Sequence, residues 1–112
     1  MVKINSFQFG SLTINNKKYD SDVILFWDGE LIERESSHTL SKNDLIDLLI
    51  KEPDTIIIGT GTAGCVNIDK EAQEYARKNN LDIIIQKTPE AIECFNKMAK
   101  LRKVAAIFHL TC

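Results

Sequence analysis

The second half of the chain alternates between short apolar runs and segments of helical periodicity, and this alternation limits the fold more than any other feature. Predominantly apolar segments of strand length lie at 55–58, 82–85 and 103–110. Between them, Asp69 and Thr88 are placed to cap two helices, and Pro89 follows at the first helical position of the second. This order predicts a βαβαβ unit with right-handed crossovers if the strands are parallel. Small residues at 105 and 106 favour a central place for the last strand.

The first third of the chain has the pattern of an antiparallel β meander. Alternating apolar residues change phase at Gly10, which predicts a bulge or bend there. Asn15-Asn16 is a favourable turn pair, because Asn tolerates positive φ. Asp28-Gly29 follows a continuously apolar run and predicts a hairpin.

A further amphipathic helix is predicted after a polar loop. Ser41 and Asp44 have the spacing of a capping box, and Leu45, Leu48 and Leu49 share one face. Together with the meander and the βαβαβ unit, this helix uses nearly all of the 112 residues. We therefore expect a single α/β domain over 1–112, with no room for a second ligand-binding half.

Charge and cysteine content exclude several classes of protein. Fourteen basic and 16 acidic side chains give a net charge of -2, which argues against nucleic acid as the main partner. No apolar run approaches the roughly 20 residues of a membrane span, and the first residues do not resemble a signal peptide. The three cysteines form no CxxC pair. Reduced thiols in the cytoplasm are the expectation.

The most specific local motif is the GxGxxG segment Gly59-Thr60-Gly61-Thr62-Ala63-Gly64, directly after a buried strand. A dinucleotide site also needs a helix that opens on the motif and an acidic residue that ends the next strand. Both are missing, and no Lys-Ser/Thr pair completes a P-loop. Two interpretations stay open for Gly59, Thr60, Gly61, Thr62, Ala63 and Gly64. A tight turn between strand and loop is preferred, and a site for a small anion is the alternative.

Two polar residues join this loop as candidate ligand-binding residues. His109 ends the last strand and would lie beside the loop if that strand runs parallel to 55–58. Asn96 interrupts the inner face of the last helix, where a buried amide needs partners. A structural role is preferred for both. A metal site from Cys65, His109 and Cys112 lacks supporting spacing, so no metal or cofactor is predicted.

No catalytic set can be named from the sequence. A Ser-His-Asp arrangement would require guessed distances. Asp20 and Asp22 could suggest a pair of carboxylates, but alternate positions on a solvated strand face explain them more simply.

Several segments in a characteristic order resemble a known family. They are Phe9-Gly10-Ser11, Asp22-Val23-Ile24, Ile57-Ile58-Gly59-Thr60-Gly61, Thr88-Pro89-Glu90-Ala91, Phe95-Asn96 and Val104-Ala105-Ala106 through His109-Leu110-Thr111-Cys112. The chain resembles the small α/β family that includes the adipogenesis-associated protein and mitochondrial complex I assembly factor 3. The resemblance implies a three-layer fold with a mixed central sheet. It implies no established activity, cofactor or catalytic set, and the chain looks like an archaeal or bacterial member.

The sequence thus predicts a binding or assembly-accessory module without catalytic activity, whose partner is another protein. The alternative is a protein that binds a small anionic ligand, or an enzyme, that uses the Gly59–Gly64 loop with His109 and Asn96. Neither the oligomeric state nor the direction of the last strand follows from the sequence.

Overall fold

The computed structural model describes residues 2–112 and has three layers. In chain order its elements are β1 (Ile4–Gln8), β2 (Ser11–Ile14), β3 (Lys17–Tyr19), β4 (Asp22–Phe26), β5 (Leu31–Arg34), β6 (Thr39–Leu40), α1 (Lys42–Leu48), β7 (Thr55–Gly59), β8 (Asn67–Ile68), α2 (Lys70–Lys78), β9 (Ile83–Gln86), α3 (Thr88–Met98) and β10 (Val104–Phe108). The predicted fold class, a three-layer α/β fold with a βαβαβ unit and an N-terminal meander, is confirmed.

The middle layer is a five-stranded mixed sheet in the order β5-β4-β10-β7-β9. The last strand is central, as its small residues predict, and it is parallel to β7, with Ala106 opposite Ile57. On its other side β10 pairs antiparallel with β4. Consequently the first residue of β4, Asp22, lies at the same sheet edge as the carboxyl ends of β7 and β10.

Helices α1 and α2 cover one face of this sheet. Their buried residues, among them Leu45, Leu48 and Ala72, pack on every second residue of the strands, such as Ile56 and Ile58. Alternation along β7 sends Ile57 to the opposite face, which agrees with a strand buried on both sides.

The opposite face is covered by α3 and by the three-stranded sheet β1-β2-β3, which forms the third layer. Phe95 of α3 packs edge-to-face on Phe108 of β10, with ring centroids 5.9 Å apart. Leu12 and Ile14 of the meander are fully buried in the same cluster. Two hydrophobic clusters therefore share one sheet.

The predicted helix starts are correct for α1 and α2 and differ for α3. Ser41 and Asp44 form the capping box, and the Asp69 carboxylate accepts from the Ala72 amide at 2.8 Å. Thr88, expected as the cap of α3, is instead its first residue. Its hydroxyl group makes contacts outside the helix.

The meander turns decide between the alternatives that the sequence left open. Asn15 and Asn16 both have positive φ, as in a type I′ hairpin turn. Gly10, with φ +82°, lies in the hairpin turn between β1 and β2 rather than in a bulge. The register shift falls between Ile4 and Ser6 instead. A two-residue turn and a bulge both change the phase of an apolar pattern, so the sequence could not separate them.

Parallel strands β6 and β8 form a further small sheet that the sequence does not predict. Within residues 2–112, every helix is too short or too polar to cross a membrane.

Candidate functional site

The buried pair Asp22 and His109 lies at the edge of the central sheet where β7 and β10 end. Both residues are less than one-tenth exposed. Asp22 Oδ2 is 2.7 Å from His109 Nδ1, and Asp22 Oδ1 accepts from the Leu110 amide at 3.0 Å. Because a carboxylate only accepts, Nδ1 carries the hydrogen in this pair. The carboxylate thus fixes both the imidazole and the backbone that follows β10.

The second ring nitrogen of His109 is also engaged. Nε2 lies 3.1 Å from the Thr111 hydroxyl, which can donate to it when the imidazole is neutral. The His38 ring packs edge-on at 5.2 Å between centroids. A carboxylate, an imidazole and a hydroxyl therefore form a hydrogen-bonded chain that holds the His109 ring in one orientation.

His109 lies beside the glycine loop, as predicted for a parallel last strand. Its backbone N–H donates to the Gly59 carbonyl at 3.0 Å. The ring is turned toward Asp22 and not toward the loop amides. The sequence therefore places the His109 backbone correctly, but not the partner of its side chain.

Most amides of the glycine loop donate to acceptors inside the protein. The Thr60 amide donates to the Gln86 carbonyl, and the Gly61 amide donates to the Thr88 hydroxyl. The amides of Thr62 and Cys65 donate to the carbonyls of Thr111 and Cys112, respectively. The Gly64 amide donates to the Gly61 carbonyl within the loop. An anion site needs several amides that are free to point at the ligand. These contacts favour the structural interpretation of the loop, and an anion site here stays a prediction without support from the geometry.

Close packing explains why glycine occupies position 61. Its φ is +103°, and a Cβ there would lie 2.4 Å from the Cys112 carbonyl oxygen. Buried Thr88 fastens the same loop, because its hydroxyl accepts from Gly61 N–H at 2.8 Å and donates to the His109 carbonyl at 2.7 Å. The loop is thus connected to α3 and to the segment after β10.

Asn96 does not belong to this site. Its side-chain amide forms two 3.0 Å bonds with the backbone N–H and C=O of Ile4 in β1. Eight residues of helix separate it from Thr88, a rise of about 12 Å. The side chain thus has the partners that a buried amide needs, and it holds strand β1 of the meander to α3 rather than organising a pocket with His109.

An open cleft of about 570 Å³ borders the Asp22–His109 pair. We call it the carboxyl-end cleft; it lies between β4, β5 and β6 and the ends of β7 and β10. Leu40, Ile58, Val66 and Ile107 give it an apolar lining. Ser37, Thr39 and Ser41 add hydroxyl-bearing side chains. Its size is that of a small-molecule site.

Acidic side chains dominate the polar lining of the carboxyl-end cleft. Among residues 2–112, the acidic residues Asp22, Glu33, Glu35 and Asp44 line it together with a single cation, Arg34. The Arg34 guanidinium is bound to Asp44 and, at 2.6 Å, to Asp47. The positive charge is therefore already matched, and the cleft has an excess of negative charge.

The sequence interpretation of Asp22 is wrong, since this residue is 7% exposed and not on a solvated face. Asp20, by contrast, is exposed. The usable signal was the position of Asp22, directly before the uninterrupted apolar run of β4, with no hairpin residue between them. Arg34 and the hydroxyl-bearing residues Ser37 and Thr39 carried no such signal.

The cysteines are free and do not gather metal ligands. Cys65 is exposed, while Cys94 and Cys112 are half-buried. Cys112 Sγ lies 3.7 Å from His38 Nε2. Across residues 2–112, no group of three potential ligands has the geometry of a metal site.

Comparisons with known proteins agree with this architecture. The family model described as protein of unknown function, DUF498/DUF598, matches residues 4–109. A solved conserved hypothetical protein, PH1505 from Pyrococcus horikoshii OT3, is 25% identical with a TM-score of 0.88, over 98% of this chain and 99% of that one. The structure named MT938 is 30% identical over the whole of both chains, with a TM-score of 0.83.

A more distant structure extends the fold to bacteria. A Bordetella pertussis protein described as a Mth938-like domain has a TM-score of 0.75 at 12% identity, over 96% of this chain and 85% of that one. At this identity the similarity concerns the fold alone.

Proposed function

This chain belongs to the DUF498/DUF598 family of proteins of unknown function, and on that premise we propose that it binds a small organic cation in the carboxyl-end cleft. The ligand would have an apolar body and an ammonium or similar donor group. One observation carries the proposal: an apolar lining lies beside an excess of carboxylates whose only cation is already paired. The proposed role is binding rather than catalysis.

The two parts of the cleft would recognise two parts of the ligand. The apolar body would contact Ile58, Val66 and Ile107, which removes apolar surface from water. The ammonium group would lie toward Glu35, which is exposed in the free protein, whereas the Glu33 carboxylate accepts from the Ser21 hydroxyl at 3.0 Å. An organic anion of the same size would meet these carboxylates unfavourably.

The Asp22–His109 pair would shape the cleft rather than donate to the ligand. Both ring nitrogens are engaged with Asp22 and Thr111. The ring consequently presents a fixed surface, which reduces the entropy lost when a ligand binds.

A pair of probes of similar size and opposite charge tests the proposal. We expect benzylamine, followed by amide chemical shifts of the ¹⁵N-labelled protein, to shift Gly59, Val66 and Ile107, whereas benzoate leaves them unchanged. The variant Glu35→Gln should bind benzylamine about threefold more weakly, because one exposed charge contributes little.

The variant Glu93→Gln is the matched control. It removes the same charge from α3, which covers the opposite face of the sheet. We expect its affinity for benzylamine to equal that of the native protein. Equal binding of benzoate, or no shifted cleft amide at about 10 mM benzylamine, would refute the proposal.

A further inference from the structure

Strand β9 is an edge strand of the central sheet that lacks the usual protection. It contains Ile83, Ile84, Ile85 and Gln86. Edge strands are commonly protected from pairing by a lysine or proline within the strand, a bulge, or a covering element. The opposite edge, β5, carries Glu33 and Arg34. The β9 edge therefore differs from β5 in offering apolar side chains without a charge.

The hydrogen bonds to β7 show which backbone groups of β9 face outward. Ile56 N–H donates to the Asp82 carbonyl and Thr60 N–H to the Gln86 carbonyl, both at 2.9 Å. In a parallel ladder alternate residues bond to the same neighbour. Since residues 82, 84 and 86 face β7, the N–H and C=O groups of Ile83 and Ile85 face away from the sheet. These groups form a template for another strand.

The side chain of Ile85 supports the same conclusion. It is 55% exposed, although its parallel partner Ile58 is buried. A strand added beside β9 would cover it, and burial of such apolar surface favours association.

We propose that the β9 edge pairs antiparallel with the β9 edge of a second copy of this chain. The two-fold axis would pass beside Ile85, so that each Ile85 N–H donates to the Ile85 carbonyl of the other copy. Outward-facing residues of an antiparallel pair exchange both hydrogen bonds in this way. The central sheets of the two copies then form one continuous sheet.

The charges at the two ends of β9 favour this antiparallel arrangement. Asp82 precedes the strand and Lys87 follows it. Antiparallel pairing brings the acidic end of one strand toward the basic end of the other, whereas parallel pairing would bring like charges together. Pairing of identical edges also closes on itself, while pairing of β9 with the β5 edge of another copy would continue into an open chain.

Sedimentation equilibrium over a range of protein concentrations tests the proposal. We expect the apparent mass to rise from the monomer value of 12.7 kDa toward twice that value. Ile85→Lys should weaken dimerisation at least tenfold, because it places two ammonium groups side by side. Ile50→Lys is the matched control, since Ile50 is 61% exposed and follows α1, outside the β9 edge. It should dimerise like the native chain.

A second variant tests the backbone pairing itself. Ile85→Pro removes an N–H that faces away from β7, a position at which an edge strand tolerates proline. We expect a folded monomer by circular dichroism, with no dimer at concentrations where the native chain is dimeric. If this variant does not fold, concentration-dependent hydrogen exchange at Ile83 and Ile85 replaces it.

Three results would overturn the proposal. The native chain could stay monomeric at about 1 mM. Ile50→Lys could weaken association as much as Ile85→Lys does, or the mass could grow beyond a dimer, as expected for pairing of β9 with β5. None of these measurements involves the carboxyl-end cleft, so they are independent of benzylamine binding.

Discussion

The glycine loop and the carboxyl-end cleft lie side by side at one edge of the central sheet. They differ in whether their polar groups have hydrogen-bond partners within the protein. In the loop, the amides of Thr60, Gly61 and Thr62 bind acceptors of the protein itself. In the cleft, the Glu35 carboxylate stays exposed beside an apolar lining. The loop that resembles a ligand site thus has its amides bonded within the protein, while most residues that line the cleft belong to no recognisable sequence motif.

This difference teaches that a binding motif is defined by unsatisfied groups and not by residue types. Glycines allow a backbone to come close to a phosphate, but they equally allow it to come close to another backbone. Here the neighbour is the segment after β10, whose Cys112 carbonyl lies against Gly61. Loop variants should therefore change stability first, and cleft variants should change binding first.

The largest effect is expected for Gly61→Ala, because the added Cβ would collide with the Cys112 carbonyl. We expect the free energy of unfolding to fall by about 4 kcal/mol, from strain at positive φ together with overpacking. Gly10→Ala is the control in urea denaturation. Gly10 also has positive φ but no atom within 4 Å of a new Cβ, so it should lose only about 1 kcal/mol. Equal losses would contradict the bracing role.

A smaller loss is expected for Thr88→Val, which keeps the shape of the side chain and removes its hydroxyl. Gly61 N–H and the His109 carbonyl would each lose a buried partner. Unfolding should become easier by about 2–3 kcal/mol, as measured by thermal and urea denaturation. Thr88→Ser keeps both hydrogen bonds and should lose about 1 kcal/mol, the value of the missing methyl group. If Val is tolerated as well as Ser, the hydroxyl is not what fastens the loop.

The smallest effect is expected for Asp22→Asn, next to the cleft. The Asn side chain replaces one of two acceptor oxygens by a donor, which faces either His109 Nδ1 or Leu110 N–H. We expect a loss of about 1–2 kcal/mol and a change in the imidazole tautomer seen by long-range ¹⁵N NMR. Asp20→Asn, exposed two residues earlier, should change neither quantity. An unchanged tautomer in Asp22→Asn would show that the Asp22 carboxylate does not determine which nitrogen of the His109 ring carries the hydrogen.

The sequence predicted most of the architecture because local periodicity carries it. Capping residues such as Ser41 and Asp69 and the turn at Asn15-Asn16 act within a few residues, and the structure confirms all of them. The sequence left a bulge or a bend open at Gly10, and it did not predict the pairing of β6 with β8, because in both places the local pattern fits more than one structure. Thr88 is a third example. A threonine before Pro89 has the sequence pattern of a helix cap, and this pattern does not reveal that the Thr88 hydroxyl donates to the His109 carbonyl instead.

For the candidate site, the sequence identified His109 and the neighbourhood of Gly59 but not the partners. Asp22 and His109 are 87 positions apart, and only the antiparallel placement of β4 beside β10 brings them together. Asn96 has the expected tie to backbone, but on another element and away from His109. The order of short motifs indicated membership of the three-layer family. The match of the family model to residues 4–109 confirms it.

By itself, then, the sequence determined the alternation of strands and helices. The spacing of apolar residues within each segment fixes which secondary structure can bury them on one face, and this holds for any arrangement of the other segments. The tertiary structure alone decided which polar groups have no hydrogen-bond partner within the protein. Whether a loop amide is free or bound depends on carbonyls that arrive from the opposite end of the chain, as Thr111 and Cys112 do here. Hydrogen bonds are short-ranged and directional, so their partners are known only once the chain has folded.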